Sequence, residues 1–379
     1  RGGRGALPSS PAGGPGDRRS LIALSRVRAE DTVHRRLGRT GYTAFGWLPD
    51  ASGFIAGQAS VLRPRTGKEK TPPDLSLKES AYLFASFEMG KRWRDAVEGE
   101  LRKAADTVMK EEEAKKKEEE ARKAAEAKPA EKKADDAKPD EKKPDEKKPD
   151  EKKPEEKKPD ERKPANPPAA PAAAPAAPAA KPVPPDALSD VFRGQRRLLL
   201  RVRSPAAIDH LLRILDGLPK KPRVVLVLPS LPPATVQKLL ERRDIIDGVI
   251  LAPSLGTASE TSVLVPAARL FAEGGLDVAF TPLADSIAGH ASIPLHLAEM
   301  VKAGMSPGTV LAAVTTIPAR YLGLEGKVGS LEKGASASFA VHDGDVLGGS
   351  ARLLAVYVEG IQVFSDDAAT SRVAGEAVK

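Results

Sequence analysis

The sequence predicts an α/β fold in which a parallel sheet is covered by helices and followed by a short all-β segment. Three observations predict it. Between residues 186 and 280, short apolar stretches alternate with stretches of helical period, joined by short loops. The strand-like stretches (197–203, 223–228, 248–251 and 278–280) are nearly all apolar, as strands buried on both faces must be. Beyond Leu324 the period drops to two, in 338–341 and 355–358, with Glu359-Gly360 as a turn.

Taken in order, residues 1–17 are rich in Gly, Pro and Ser and read as irregular. A first folded segment follows over 18–109. It opens with a short helix holding Val33 and Leu37, then a strand over 41–49 ended by Pro49, then a Gly-rich stretch over 53–62. Residues 75–109 read as helical, with Leu77, Ala81, Phe84, Val97, Leu101 and Val108 at mixed three- and four-residue steps. From Lys110 the apolar residues disappear, and Glu/Lys pairs four apart suit a solvated continuation of that helix. Residues 139–163 repeat PDEKK, and a Pro/Ala tract runs to Pro185. Proline at every fifth position forbids a helix, and nothing apolar is present to offset the entropy of ordering. Residues 110–185 are therefore expected to be a charged helix and a disordered linker. The second folded segment covers 186–324, with helices at 206–218, 233–241, 264–273, 295–301 and 306–322 between and after the strands. Small β-domain strands occupy 325–366, and 367–379 reads as a flexible tail.

The chain carries 60 Lys and Arg against 52 Asp and Glu, a net +8. The excess lies in residues 1–109, with 19 basic against 12 acidic side chains, while 110–164 balance at 20 each. Aromatic residues make up 4% and do not interleave with the arginines, which argues against a nucleic-acid partner, including through the Arg-rich residues 1–39. With no cysteine, disulfides and thiolate metal sites are excluded. No apolar run reaches the ~18 residues of a membrane-spanning helix. The chain starts at Arg1 rather than Met, so it reads as a fragment or processed product, and the compartment is left open.

The stretch AGMSPGTVLAAVTTIPARYLGLEGKVGSLEKGASASFAVHDGD, residues 303–345, resembles the C-terminal end of amidohydrolase-superfamily proteins of the imidazolonepropionase-like branch. The resemblance rests on Ala303-Gly304, Ser306-Pro307, Thr315, Pro318-Ala319, Leu322-Gly323-Leu324, Gly329-Ser330-Leu331-Glu332, Gly334 and Asp343-Gly344-Asp345. A second, shorter likeness lies in IAGQASVL, residues 55–62, which otherwise reads as a Gly-rich βα loop. The resemblance implies a TIM-like (β/α) barrel, incomplete at its N-terminus, with a small C-terminal β domain and a long disordered insertion. It also implies metal-dependent hydrolysis of a non-peptide C–N bond in a small-molecule substrate, with a divalent metal such as Zn in the complete protein.

The family pattern places an HxH at the first barrel strand, two further His on middle strands and an Asp after the eighth. This chain has no HxH, and the strands at 198–203 and 224–228 end without His. After residues 278–280 the text is TPLAD, which leaves Asp285 as the catalytic and metal-binding candidate. His290 and His296 follow it, so Asp285, His290 and His296 form the candidate metal group. The spacing matches no recurring metal motif, and the same residues also read as a degenerate site with hydrogen-bonded His and an N-capping Asp or Ser. His34, His210 and His342 read as ordinary surface or capping residues. Arg201 or Arg203 at a strand end could hold an anion in the barrel mouth, unless the pair is structural with Asp209. The reading is thus an amidohydrolase-family hydrolase whose active site this chain does not complete. Its alternative is a non-catalytic amidohydrolase-like scaffold, a pseudoenzyme partnering another such domain or its own copy.

Overall fold

The computed structural model describes residues 32–48, 54–69, 71–87, 91–126, 186–202, 204–229, 231–257 and 264–366. The expectations for 1–17, the PDEKK repeats, the Pro/Ala tract, Arg203 and 367–379 lie outside them. Residues 1–113 and 185–379 belong to one unit and 114–184 to another. The described part of the second unit is residues 114–126, a stretch of helix exposed over 114–123, on which Lys123 pairs with Glu119 at 2.6 Å, four residues apart.

The first unit opens with α1 (Thr32–Arg39), β1 (Phe45–Trp47) and β2 (Ile55–Leu62). β3 follows (Ser76–Phe87), and then the long helix α2 (Lys91–Glu126), which runs on into the second unit. Here the sequence reading needs correction, because 76–87 is a strand. Residues 81–87 are apolar except for Ser86 and buried on both faces, and such a run satisfies helical and strand periods alike. Its faces alternate, with Leu83, Ala85 and Phe87 in one cluster and Tyr82 and Phe84 in another. Residues 53–62 are likewise no βα unit: β2 pairs antiparallel with both β1 and β3.

After the linker come α3 (Ala187–Phe192), β4 (Arg197–Val202), α4 (Pro205–Asp216), β5 (Val224–Val227), α5 (Pro233–Leu240) and β6 (Ile246–Leu251). Asp186 caps α3 by accepting from the Leu188 N–H, and Pro205 and Pro233 start their helices at positions with no N–H to satisfy. A two-residue ribbon, β7 (Gly256–Thr257) with β8 (Leu264–Val265), precedes α6 (Ala267–Glu273) and β9 (Asp277–Phe280). The expected helix over 264–273 thus starts three residues late. Next come α7 (Ile287–Ala291), α8 (Ile293–Lys302), α9 (Pro307–Ala312) and α10 (Thr316–Tyr321). The single helix expected over 306–322 is broken at Thr315, with φ −125° and ψ −85°. Pro318 explains the break, since in a continuous helix its ring would meet the Val314 carbonyl and leave it without a donor. The chain closes with β10 (Phe339–His342), β11 (Leu353–Val358) and β12 (Ile361–Ser365), a three-stranded antiparallel sheet.

The main sheet has the order β1-β2-β3-β4-β5-β6-β9. From β3 onward all neighbours are parallel, so the segments before and after the linker share one sheet through the β3–β4 ladder. Helices α2 to α6 and α8 cover one face through Leu83, Leu198, Leu200, Val224, Leu226 and Val278. The other, inward face carries Tyr82, Phe84, Leu199, Val225 and Ala279, against which α10 packs Ile317, Ala319 and Tyr321. Five parallel strands with helices outside make a part of a (β/α) barrel, an α/β fold with a small antiparallel sheet following it.

Candidate functional site

In a barrel of parallel strands the reactive end is the one where the strands finish, because the βα loops converge there. On the inward face, strand alternation brings Ser86 to the end of β3 and Arg201 to the end of β4. The two are register partners across the parallel ladder. The Arg201 guanidinium lies 5.0 Å from the centroid of the Phe84 ring, one inward position back from Ser86, and the ring face favours a cation there. Ser86 is 2% exposed, and its Oγ is buried without a hydrogen-bond partner. A buried hydroxyl without a partner is unusual in a folded protein. Below this pair Tyr82 is fully buried. Burial pushes its phenol well above the usual range, with Arg201 acting the other way, so it is a neutral group in the wall. A cation and an adjacent O–H form a donor pair suited to a carboxylate.

The other sequence candidates lie beyond β9. Ser286 caps α7 by accepting from the Gly289 N–H at 3.1 Å, which places Asp285 just outside the helix with its side chain fully exposed. His290 Nε2 comes within 3.5 Å of Asp285 Oδ1, and the imidazole meets the Tyr42 ring edge-on at 5.3 Å between centroids. Burial, and then the nearby Asp285 carboxylate, push the Tyr42 phenol well above its ordinary range. His296 is turned elsewhere, its Nδ1 3.0 Å from Glu299 Oε2 on α8. The structure brings Asp285 and His290 together but not His296. Among the described residues no group of three or more His, Asp or Glu side chains could hold a metal ion. The donor set of the described residues therefore does not fit a resident metal.

His210 Nδ1 lies 3.3 Å from Arg94 Nη1 on α2, and His342 is part-buried in β10, where burial lowers its pKa. Asp209, considered as a partner of Arg201, accepts from Lys238 at 3.1 Å. Ser86 and Phe84 were not singled out by the sequence reading, since they sit in the run read as helix. The signal that could have found them is the two-residue alternation of Tyr82, Phe84 and Ser86 against Leu83, Ala85 and Phe87.

Five parallel strands with a polar strand-end site define the class as a part (β/α) barrel. Residues 267–372 match the model of the amidohydrolase family. An amidohydrolase from Thermotoga maritima MSB8 shares the fold, with a TM-score of 0.55 over 90% of this chain and 77% of that one at 18% identity. A putative prolidase from Bifidobacterium longum aligns at a TM-score of 0.33 and 20% identity, over 51% of this chain and 54% of its own. A β-aspartyl dipeptidase from Fervidobacterium islandicum AW-1 aligns at 0.24 and 16% identity, over 44% and 40%. This chain thus spans about half the length of those two peptidases. No curated protein matches the sequence. Among the described residues no helix is long and apolar enough to cross a membrane.

Proposed function

We propose that this chain forms one wall of an amidohydrolase-type cavity and grips the carboxylate of a small-molecule substrate on Arg201 and Ser86. The observation that carries the reading is the buried, unpartnered Ser86 Oγ beside a guanidinium at the strand ends. A carboxylate there would accept from both groups, and Phe84 fixes the guanidinium from behind. The reaction class that goes with the family is hydrolysis of a non-peptide C–N bond. Metal ligands for it, whether for Zn or another divalent ion, are in this reading supplied by polypeptide other than the described residues. The part played by this chain's own residues is to bind and orient.

A second reading is a non-catalytic amidohydrolase-like scaffold that partners another such domain or its own copy. It is favoured by Arg201 standing near the strand end where the family pattern has a ligand His. One experiment addresses both: calorimetric titration with N-acetylalanine, alongside metal analysis of the purified chain and of Asp285→Ala. The cavity reading expects saturable binding that weakens about tenfold or more in Arg201→Gln, the loss of one charge-assisted pair. Absence of saturable binding sinks the carboxylate grip and leaves the scaffold. Stoichiometric metal on this chain, lost in Asp285→Ala, would overturn the assignment of the ligands elsewhere.

A further inference from the structure

The opposite end of the sheet, where the strands begin, holds a cavity of about 230 Å³ lined by Arg196, Arg197, Lys221 and Arg223. Asp247 is the one carboxylate in that lining. Four cations and that one carboxylate line a space too small for a drug-sized ligand. The topology produces the cluster. Arg197 opens β4, Lys221 and Arg223 precede β5, and Asp247 lies at the start of β6, so three neighbouring parallel strands deliver their first charged residues to one place.

Each cation has a carboxylate within 4.0 Å, but only Asp247 stands in the cavity lining. Asp247 is shared between Arg223 and Arg197, the latter at 3.8 Å. Lys221 reaches outward to Asp216 at 3.4 Å and Asp244 at 3.9 Å. Arg196 is held in place by the Ser80 carbonyl, which accepts from its Nη1 at 2.7 Å, and Asp190 stands 3.8 Å from its Nη2. That anchor is itself unusual, since Ser80 is a non-glycine residue at φ +51°. Arg196 Nε is left buried without a hydrogen-bond partner. Lys78 adds to the field: burial lowers its pKa first, then repulsion from Lys327, Arg196 and Arg197. Such a concentration of like charge at a concave surface focuses a positive potential on a small anion.

We infer that this cavity is a phosphate-binding site, taking inorganic phosphate or the phosphate group of a small phosphomonoester, independent of the strand-end site where Arg201 lies. Tetrahedral phosphate offers acceptors on every side, and guanidinium forks from neighbouring strands match them in pairs. The site is too confined for a dinucleotide, and it lies at the end of the sheet opposite the proposed carboxylate grip.

The test is calorimetric titration of the full chain with inorganic phosphate and, in a second arm, with glycerol 3-phosphate, at physiological ionic strength. Saturable one-to-one binding is expected, weakened about tenfold or more in Lys221→Gln/Arg223→Gln, whose side chains are 42% and 64% exposed and can change without disturbing the core. Equal unfolding midpoints of parent and double variant without phosphate establish that the fold is intact. Arg201→Gln should bind phosphate as the parent does, so failure of the carboxylate reading and failure of this one are distinguishable. Tighter binding of the phosphomonoester assigns it as the ligand, and equal or weaker binding assigns the free ion. Absence of saturable binding in both arms, or equal affinity in the double variant, overturns the assignment.

Discussion

Gly248→Ala should destabilise the first unit by about 1–6 kcal/mol, and the structure shows where that figure comes from. Gly248 lies at the start of β6 beside Asp277 of β9, its register partner. A Cβ added there would stand 1.7 Å from Tyr321 Oη, 2.8 Å from Tyr321 Cζ and 2.7 Å from the Asp277 carbonyl oxygen. Tyr321 is 2% exposed and packed in the inward-face cluster, so the ring has nowhere to retreat. Its hydroxyl donates to the Asp277 carbonyl at 2.9 Å, a bond that any outward shift breaks. Overpacking a close-packed interior costs about 1–3 kcal/mol. Losing a hydrogen bond to a buried carbonyl adds about 1–3 kcal/mol. Removing a strand glycine recovers less than about 1 kcal/mol. Urea unfolding followed by far-ultraviolet circular dichroism reads the difference. Tyr321→Phe provides the control, since it removes the nearest atom. In that background Gly248→Ala should cost at least about 1 kcal/mol less, a coupling expected only of residues in contact. A Gly248→Ala variant as stable as the parent, or one with the same penalty in both backgrounds, refutes the packing described.

Two further predictions concern stability. Glu69 has a side chain 1% exposed. Burial pushes its carboxyl up, but the Thr66 hydroxyl and N–H and the Arg63 guanidinium more than offset this and hold it down to about 2 from an ordinary 4.5. Because the folded-state pKa is depressed, this contribution, about 3 kcal/mol, is complete above pH 4.5 and lost as pH falls from there toward 2. The stability gap between parent and Glu69→Gln should therefore narrow across that window, and a gap constant from pH 6 to 3 would contradict it. Leu200, fully buried in the middle of β4, should cost about 2–5 kcal/mol as Leu200→Ala, whereas Leu331→Ala, at an 82% exposed position, should stay within about 0.5 kcal/mol. Chemical denaturation midpoints of the two variants decide it.

What the sequence made legible follows from how each element announces itself. The strands β4, β5, β6 and β9 were visible because they are short apolar runs framed by prolines, glycines and charges, and nothing longer than a strand fits the space. β3 was not, because residues 81–87 carry apolar side chains on both faces and run almost directly into the start of α2, so one helical period seemed to cover both. The break between α9 and α10 was legible in Pro318 but outweighed by the apolar spacing around it. The family segment could be read from its own residues between Ala303 and Asp345. At the candidate site, Arg201 was visible as a charge at a strand end. Ser86 was hidden, since its importance lies in a missing partner, which is a property of packing and not of spacing. Asp285 and His290 do approach each other, but the turn from α7 into α8 at Ser292-Ile293-Pro294 carries His296 to Glu299. The basic cavity was invisible as a cluster, because its cations come from two strand openings separated by a whole helix.

The ladder from Tyr82–Arg197 to Phe87–Val202 ties together two strands between which the chain inserts α2 and the entire PDEKK and Pro/Ala text. Closure entropy grows only with the logarithm of loop length, so each doubling of that connection costs about 0.6 kcal/mol. Six backbone pairs keep the two strands in register. By the same logic, a protease nick within the repeats would leave two pieces each carrying one edge of the same zipper, and the molecule could be expressed in halves and rejoined there.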